Sequence, residues 1–173
     1  MNSFIEKIET FHPLTATETR IKERFIDFIS HNPDCFLRSN LQGHITASAF
    51  VVDKAADKIL LIHHKKLDKW LQPGGHCDGD TDTLAVAIKE VWEETGVVVQ
   101  AGNQSIADLD IHVIPKRKDI PEHEHFDVRY IFEADSLLPL IQNHETNDLK
   151  WISLDDLSRY TDEESVLRVT RRI

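Results

Sequence analysis

Cysteine is nearly absent from the 173 residues: Cys35 and Cys77 are the only two. That excludes a disulfide-stapled scaffold, and no Cys-x-x-Cys pair exists to build a zinc ribbon or a redox motif. Glycine and proline are scarce as well, six of each, which rules out collagen-like and low-complexity tracts. No run approaches the ~18 consecutive apolar residues of a membrane span. The opening "MNSFIEKIETFHPL" mixes acids among its apolar side chains and lacks the continuous apolar stretch of a secretion signal. A reducing, cytoplasmic setting is therefore expected, with no membrane partner. Positive charge is the minority, 20 Lys and Arg against 30 Asp and Glu, for a formal net charge of −10. DNA is not an expected partner and RNA is an unfavourable one, because such a field repels a polyanion unless a cation or a basic patch intervenes. The longest basic cluster, Lys116-Arg117-Lys118, is too short to reverse that.

What is present suits one globular body, since a chain of this size buries roughly two thirds of its extended surface. "TATETRIKERFIDFISH" predicts a helix capped by Thr15 or Thr17, with Ile21, Phe25, Phe28 and Ile29 as its apolar stripe and "NPD" as its stop. Residues 1–40 are expected to form a helical extension packed on a body of residues 41–173, covering a sheet edge or contributing to a homodimer surface. From Gly43 the period changes to that of strands. "HITASAFVVD" and "KILLIHHKK" predict two strands, "QPGG" a turn, and Thr81 or Thr83 the start of a helix ending at Thr95 with Gly96 beyond it. "VVVQA", "ADLDIHVIP", "HFDVRYIFEAD" and "LKWISL" predict further strands, and "DDLSRY" and "DEESVLRVTRRI" predict terminal helical turns. Strands around one central helix, with helices at both ends, imply a layered α/β domain.

The helix "TLAVAIKEVWEET" poses the functional question. At ~100° per residue Glu90, Glu93 and Glu94 share one sector, while Leu84, Ile88, Val91 and Thr95 share another that should face the sheet. Like charges at this spacing repel, and acids near a helix C-terminus oppose its dipole. The arrangement is either a solvated face eased by Lys89 or an oxygen-rich site for Mg²⁺ or Mn²⁺. The preceding Gly74-Gly75 favours the second, since bare backbone N–H groups there can approach a phosphate.

"GHCDGDTDTLAVAIKEVWEETGV" resembles the Nudix box, G-x5-E-x7-R-E-U-x-E-E-x-G-U with U a bulky apolar residue. Gly75 takes the first glycine, Glu90 and Val91 the E-U pair, and Glu93, Glu94, Gly96 and Val97 the closing E-E-x-G-U. Thr81 stands in place of the early glutamate and Lys89 in place of the arginine; Asp80 and Asp82 flank Thr81 as partial substitutes. The resemblance, with its flanking strands, spans about Ile45 to Leu157. It implies an α/β/α sandwich around a mixed β-sheet, and metal-dependent hydrolysis of a diphosphate linkage in a nucleotide or nucleoside diphosphate derivative. It further implies Glu90, Glu93 and Glu94 as metal ligands for Mg²⁺ or Mn²⁺, and Glu90 as the candidate general base. By the same resemblance Glu145, in "NHETNDLKW", faces the metals and competes for the base, with Trp151 a core anchor; the other reading is a charged surface loop.

The strand "PEHEHFDVRYIFEAD" resembles an H-x-H-x-D-x-R-Y strand of one branch of that family. His125, Asp127 and Arg129 share one of its faces, where they either meet substrate or form an internal ion pair. Gly74 and Gly75 are expected near the substrate, and Trp70 either walls its pocket or caps the core. His123 and His125 with His76 or Cys77 match no standard zinc spacing, so zinc is not expected, and Cys77 reads as a small buried hydrophobe. Of His63 and His64, strand alternation puts only one inside. Two rival functions remain open: a diphosphate isomerase of the isopentenyl type, which needs an acid-base cysteine beside a glutamate, and a non-catalytic nucleotide-ligand sensor, motivated by Thr81 and Lys89.

Overall fold

A computed structural model describes residues 2–99 and 105–173 of the chain. Two helices, α1 (Asn2–Glu9) and α2 (Ala16–His31), lead into four strands: β1 (Gly43–Asp53), β2 (Lys58–His64), β3 (Lys69–Leu71) and β4 (Gly74–His76). Helix α3 (Thr83–Thr95) follows, then β5 (Asp108–Ile114), β6 (His123–Ala134) and β7 (Thr146–Ser153). The chain closes with a 3₁₀ turn at Leu154–Arg159, the short α4 (Glu164–Leu167) and a second 3₁₀ turn at Arg168–Arg171.

The sheet is mixed and built outward from β1, all of whose residues are buried. One edge of β1 pairs in parallel with β6 from Gly43–Glu124 to Asp53–Ala134. Its other edge is shared: Thr46, Ala47 and Ser48 pair with β4, while Val51 and Val52 pair with β2. β5 flanks β6, and β2 carries β3 and β7. Strand alternation then makes two unlike faces. Ile45, Ala47 and Ala49 of β1 join Phe126, Val128, Tyr130 and Phe132 of β6 in the larger core, under α1, α2 and the apolar side of α3. Phe25 and Phe28 of α2 lie against Phe126, the latter ring stacked at 4.0 Å. A smaller core, with Phe50, Ile59, Leu61 and Ile152, is closed by Leu157, Val166 and Val169 of the C-terminal turns.

The opposite face of β1, β6 and β5 is polar and nonetheless buried. Arg129, 2% exposed, donates to Asp127 at 2.7 Å, Asp110 at 3.0 Å, Asp108 at 3.3 Å and the Ser165 carbonyl at 2.8 Å. Arg168 adds donors to Asp108 and Asp110, and Thr46 and Ser48 donate to Asp127. Burial alone would raise Asp110, but Arg129 foremost among its partners holds it well below the usual carboxylate range.

Several sequence expectations change in detail. "QPGG" contains no independent turn at the glycines, because pairing with Thr46–Ser48 draws Gly74–His76 into a strand. The cap of α3 is Asp82, accepting from the Ala85 N–H, whereas Thr83 turns inward to the Tyr130 hydroxyl at 2.7 Å. Its deepest apolar residues are Val86, Ala87 and Val91, with Leu84 and Ile88 at the margin, so the buried stripe is rotated from the predicted one. Val97–Val99 is not a strand, and the rest of that expected strand, residues 100–101, lies outside the described residues. Thr15 caps α2 and Gly96, at φ 72°, ends α3.

Arg129→Met removes the cation from three buried carboxylates. Unfolding in urea is expected to show a loss of about 3–5 kcal/mol. A loss of ~1 kcal/mol or less, the scale of an exposed pair, would mean that Arg168 holds the cluster alone.

Candidate active site

Helix α3 holds its three glutamates at graded depth, and two of them reach β4. Glu94 is 4% exposed, and its Oε2 accepts the Gly74 N–H at 2.9 Å. The Glu90 side chain, 15% exposed, lies on Gly75, where a Cβ would meet its Cδ at 2.6 Å. Glu93 is the outermost, at 42%. The Gly74 N–H expected to meet a phosphate is thus donated to a carboxylate.

The loop before β7 docks on the end of this helix. Ile141 N–H donates to the Thr95 carbonyl at 2.8 Å, and the Asn143 amide donates to the Glu93 carbonyl at 3.2 Å. Gly96 admits this contact, since a Cβ there would sit 2.7 Å from Ile141. Asn143 also accepts the Glu145 N–H, and the Glu145 carbonyl accepts from Lys65 N–H at 2.9 Å. The Glu145 backbone is therefore fixed, while its side chain stays 43% exposed within the field of Glu90 and Glu94.

Burial pushes Glu94 up to about 8; the Gly74 N–H opposes that, and Glu90, Glu145 and Glu93 add repulsion. Burial also raises Glu90, against Lys89 and with Glu93 and Glu145. The balancing cation is Lys89, whose Nζ lies 3.4 Å from Glu90 Oε1 and 3.2 Å from Glu93 Oε2. Lys89 thus keeps the charge of the arginine it replaces, though not its bidentate fork. At the other departure Thr81 is exposed, Asp80 accepts from the Asp82 N–H and Asp82 caps α3, so both aspartates serve the helix start.

The remaining expected site residues lie apart from the glutamates. Asp127 and Arg129 spend their hydrogen bonds on the internal cluster, which is the ion-pair alternative for this strand. Trp70 is half-buried in the smaller core, stacked on His63 at 5.1 Å and edge-on to Tyr160. Both members of the His63-His64 pair are half-buried, His64 accepting the Lys66 and Leu67 N–H groups at a bulge in β2. Cys77 is 4% exposed, and burial first, then the surrounding carboxylates, push its thiol far up.

His125 lies in a group that spacing concealed. Among the described residues, His44, His123 and His125 form the one set of three metal-ligating side chains whose donor atoms come within 4.8 Å of one another. His44 is absent from the sequence reading; its signal would have been the parallel pairing that sets it opposite His125. Burial holds His125 down at about 2 and His76 at about 4. A groove of about 670 Å³ is on the other side of the sheet between α2 and the start of β6, lined by Arg24, Phe28, Glu124 and Phe126 among others, and holds none of these groups.

A family model for the NUDIX domain matches residues 43–173. A curated protein of Lactococcus lactis subsp. cremoris, "Probable DHNTP pyrophosphohydrolase", is 30% identical over 101 residues, 57% of this chain and 60% of that one. The chain thus spans less than two thirds of that relative's length. "Phosphatase NudJ" of Escherichia coli K12 is 26% identical over 130 residues, 72% of this chain and 77% of that one. A solved NUDIX-family hydrolase from Clostridium perfringens superposes with a TM-score of 0.55 at 29% identity, covering 75% of this chain and 95% of its own. The E. coli dihydroneopterin triphosphate pyrophosphohydrolase, TM-score 0.57 at 10% identity over 75% of this chain and 93% of its own, shares the fold. With the mixed sheet between helical layers and the glutamate helix laid on its glycine strand, the chain belongs to the NUDIX domain family.

Proposed function

We propose that this chain is a pyrophosphohydrolase that cleaves the diphosphate linkage of a nucleotide or nucleoside diphosphate derivative with Mg²⁺ or Mn²⁺. The observation that carries the reading is Glu94, a carboxylate 4% exposed, with three other glutamates in its field and a backbone N–H fixing its position. Such a group costs stability unless a cation joins it. The nearby donors are carboxylate oxygens, the chemistry of hard divalent ions. Glu90, Glu93 and Glu94 fit that role, Glu93 by leaving Lys89. The names of the Lactococcus and E. coli relatives, a pyrophosphohydrolase and a phosphatase, support the same class.

When bound, the cation neutralises the diphosphate and acidifies the attacking water. The chain's own groups divide the remaining work. Glu94 anchors the site to β4, and Lys89, freed from Glu93, offers positive charge to a phosphate oxygen. Glu90, raised by burial and held against Gly75, takes the proton of the attacking water. Glu145 stands at the rim on its docked loop. We read residues 1–40 as an accessory layer that covers the aromatic face and carries none of these groups. The isomerase alternative is disfavoured by Cys77, whose buried thiol is a poor acid-base group. The sensor alternative loses half of its motive, since Lys89 still bridges two of the glutamates; the other half stands, because Asp80 and Asp82 serve the helix start and do not replace the carboxylate that Thr81 lacks.

Glu94 has a stability signature. Its folded value, about 8, lies above its ordinary 4.5. The stability it contributes in chelator is therefore full below about pH 4.5 and lost as pH rises through about 8. Glu94→Gln should flatten that decline and exceed the native chain's stability in chelator at pH 8. Adding Mg²⁺ or Mn²⁺ should then stabilise the native chain far more than the variant. Identical pH slopes for the two in urea titrations would mean that Glu94 ionises freely in the fold.

The base assignment is separable by single-turnover kinetics on a diphosphate substrate at saturating metal. Glu90→Gln should lose about 10²- to 10⁴-fold in rate, the scale of a lost general base, while Glu145→Gln should stay within ~10-fold of native. The reverse order, with Glu145→Gln retaining native metal affinity, transfers the base to the loop.

A further inference from the structure

Five histidines from four strands gather on the polar face of the sheet, opposite the face on which α3 lies. Strand register makes the row: His44 of β1 pairs across to His125 of β6, and His125 to His112 of β5. His123 lies two residues before His125 on the same face, and His76 of β4 pairs with Thr46 beside His44. The ring centroids of His44 are 4.7 Å from His125, 5.0 Å from His123 and 5.1 Å from His76, and His76 is 5.0 Å from His125.

We propose that His44, His123 and His125 form a binding site for a late first-row divalent cation, zinc foremost, with His76 placed to supply a fourth nitrogen. Aromatic packing alone leaves one feature of the cluster without a purpose. The Nε2 atoms of His44 and His125 are both buried and have no hydrogen-bond partner, and His44 is 3% exposed as a residue. Buried polar atoms are normally satisfied, so two orphans side by side call for a ligand.

The outer contacts of two of the rings fix which of their nitrogens is free. His44 Nδ1 lies 3.3 Å from the Asn40 carbonyl, and His123 Nδ1 lies 2.9 Å from the Pro121 carbonyl. A carbonyl only accepts, so each Nδ1 carries the proton and donates it, leaving a lone pair on Nε2. An N–H anchored on a backbone carbonyl is how ligating histidines are oriented. The three donor atoms lie within 4.8 Å of one another. Tetrahedral zinc, with Zn–N of about 2.0–2.1 Å, requires nitrogens ~3.3 Å apart, a closure of on the order of 1 Å by ring rotation.

The donor set also separates this site from the carboxylates. Imidazole nitrogens without oxygen select zinc, nickel, cobalt or copper and discriminate against Mg²⁺, whereas the glutamates of α3 do the opposite. Consecutive residues of β4 serve the two sites: Gly75 faces Glu90, and His76 faces His44 and His125. The proposal stands on residues that the hydrolytic reading does not use, so either can fail alone.

The test uses the full chain, stripped with chelator and titrated calorimetrically with Zn²⁺ in excess Mg²⁺, with Co²⁺ as an absorbing probe of tetrahedral nitrogen ligation. Native protein should bind Zn²⁺ under these conditions and give the intense visible bands of tetrahedral Co²⁺. Losing only the group that orients a ligand costs ~10- to 100-fold in affinity, so His125→Gln and His44→Gln should weaken Zn²⁺ by ~100-fold or more. Glu94→Gln should keep native Zn²⁺ affinity. If either histidine variant fails to fold by circular dichroism, His123→Gln, at the entry of β6, gives the deciding affinity. Failure of the folded native chain to bind Zn²⁺, or loss of binding in Glu94→Gln with retention in the folded histidine variants, overturns the assignment.

Discussion

The candidate active site depends on one close approach, that of α3 to a strand with no side chains in the way. A Cβ on Gly74 would lie 2.3 Å from the Ser48 Cβ, and one on Gly75 would lie 2.6 Å from the Glu90 Cδ. Both glycines therefore have a steric reason in the folded state, and neither has a positive φ. With the strand bare, Gly74 N–H reaches Glu94, and β4 can occupy the edge of β1 that β2 leaves unpaired. The apolar side of α3 makes that distance possible, with Ala87 fully buried between Val86 and Val91. Packing on one side of the helix thus sets Glu90 and Glu94 against the glycine strand on another.

Two buried acidic groups in this molecule show how partner chemistry decides the sign of a shift. Asp110 and Glu94 are similarly hidden, at 6% and 4% exposure, and burial pushes both upward. For Asp110 the Arg129 guanidinium, the hydrogen bond from His112 and Arg168 together overwhelm burial, and the carboxylate ends low, whereas burial prevails at Asp108 beside the same two arginines. Glu94 meets one backbone N–H and more glutamates, and it ends high. The first is a balanced structural cluster tying β5 and β6 to the C-terminal turns. The second has as its paired cation the exposed Lys89, which bridges Glu90 and Glu93, a charge that a solvated side chain can withdraw at little cost. That asymmetry is what the proposed cation on the glutamate face would relieve.

Local pattern made the helix legible and left the sheet obscure. The three-residue and four-residue spacing of Glu90, Glu93 and Glu94, the αL residue Gly96 and the aromatic alternation of β6 are all short-range properties, and the folded chain keeps each of them. The Asp82 cap escaped because Thr81, Asp82 and Thr83 are all good caps, and the choice was made by Tyr130, a distant residue that takes the Thr83 hydroxyl. The strand character of Gly74–His76 escaped because it belongs to its pairing with β1 rather than to its own residues. Whether Asp127 and Arg129 faced inward depended on Asp108, Asp110 and Ser165, none of which is local to them.

The histidine cluster carries the same lesson further. Spacing rules for metal sites work when ligands come from one hairpin or one helix, where sequence distance fixes spatial distance. Here the register of two pairings fixes it: β1 with β6 in parallel and β6 with β5 antiparallel, with β4 entering from the other edge of β1. A one-residue slip of β1 against β6 would turn His44 away from His125 and bring Ile45 to the polar face. The apolar contacts of Ile45, Ala47 and Phe126 beneath the helices forbid that slip. The hydrophobic face under α2 and α3 therefore sets the geometry of the polar face on the far side of the sheet, and the glutamate and histidine groups are held apart by the alternation of a single strand.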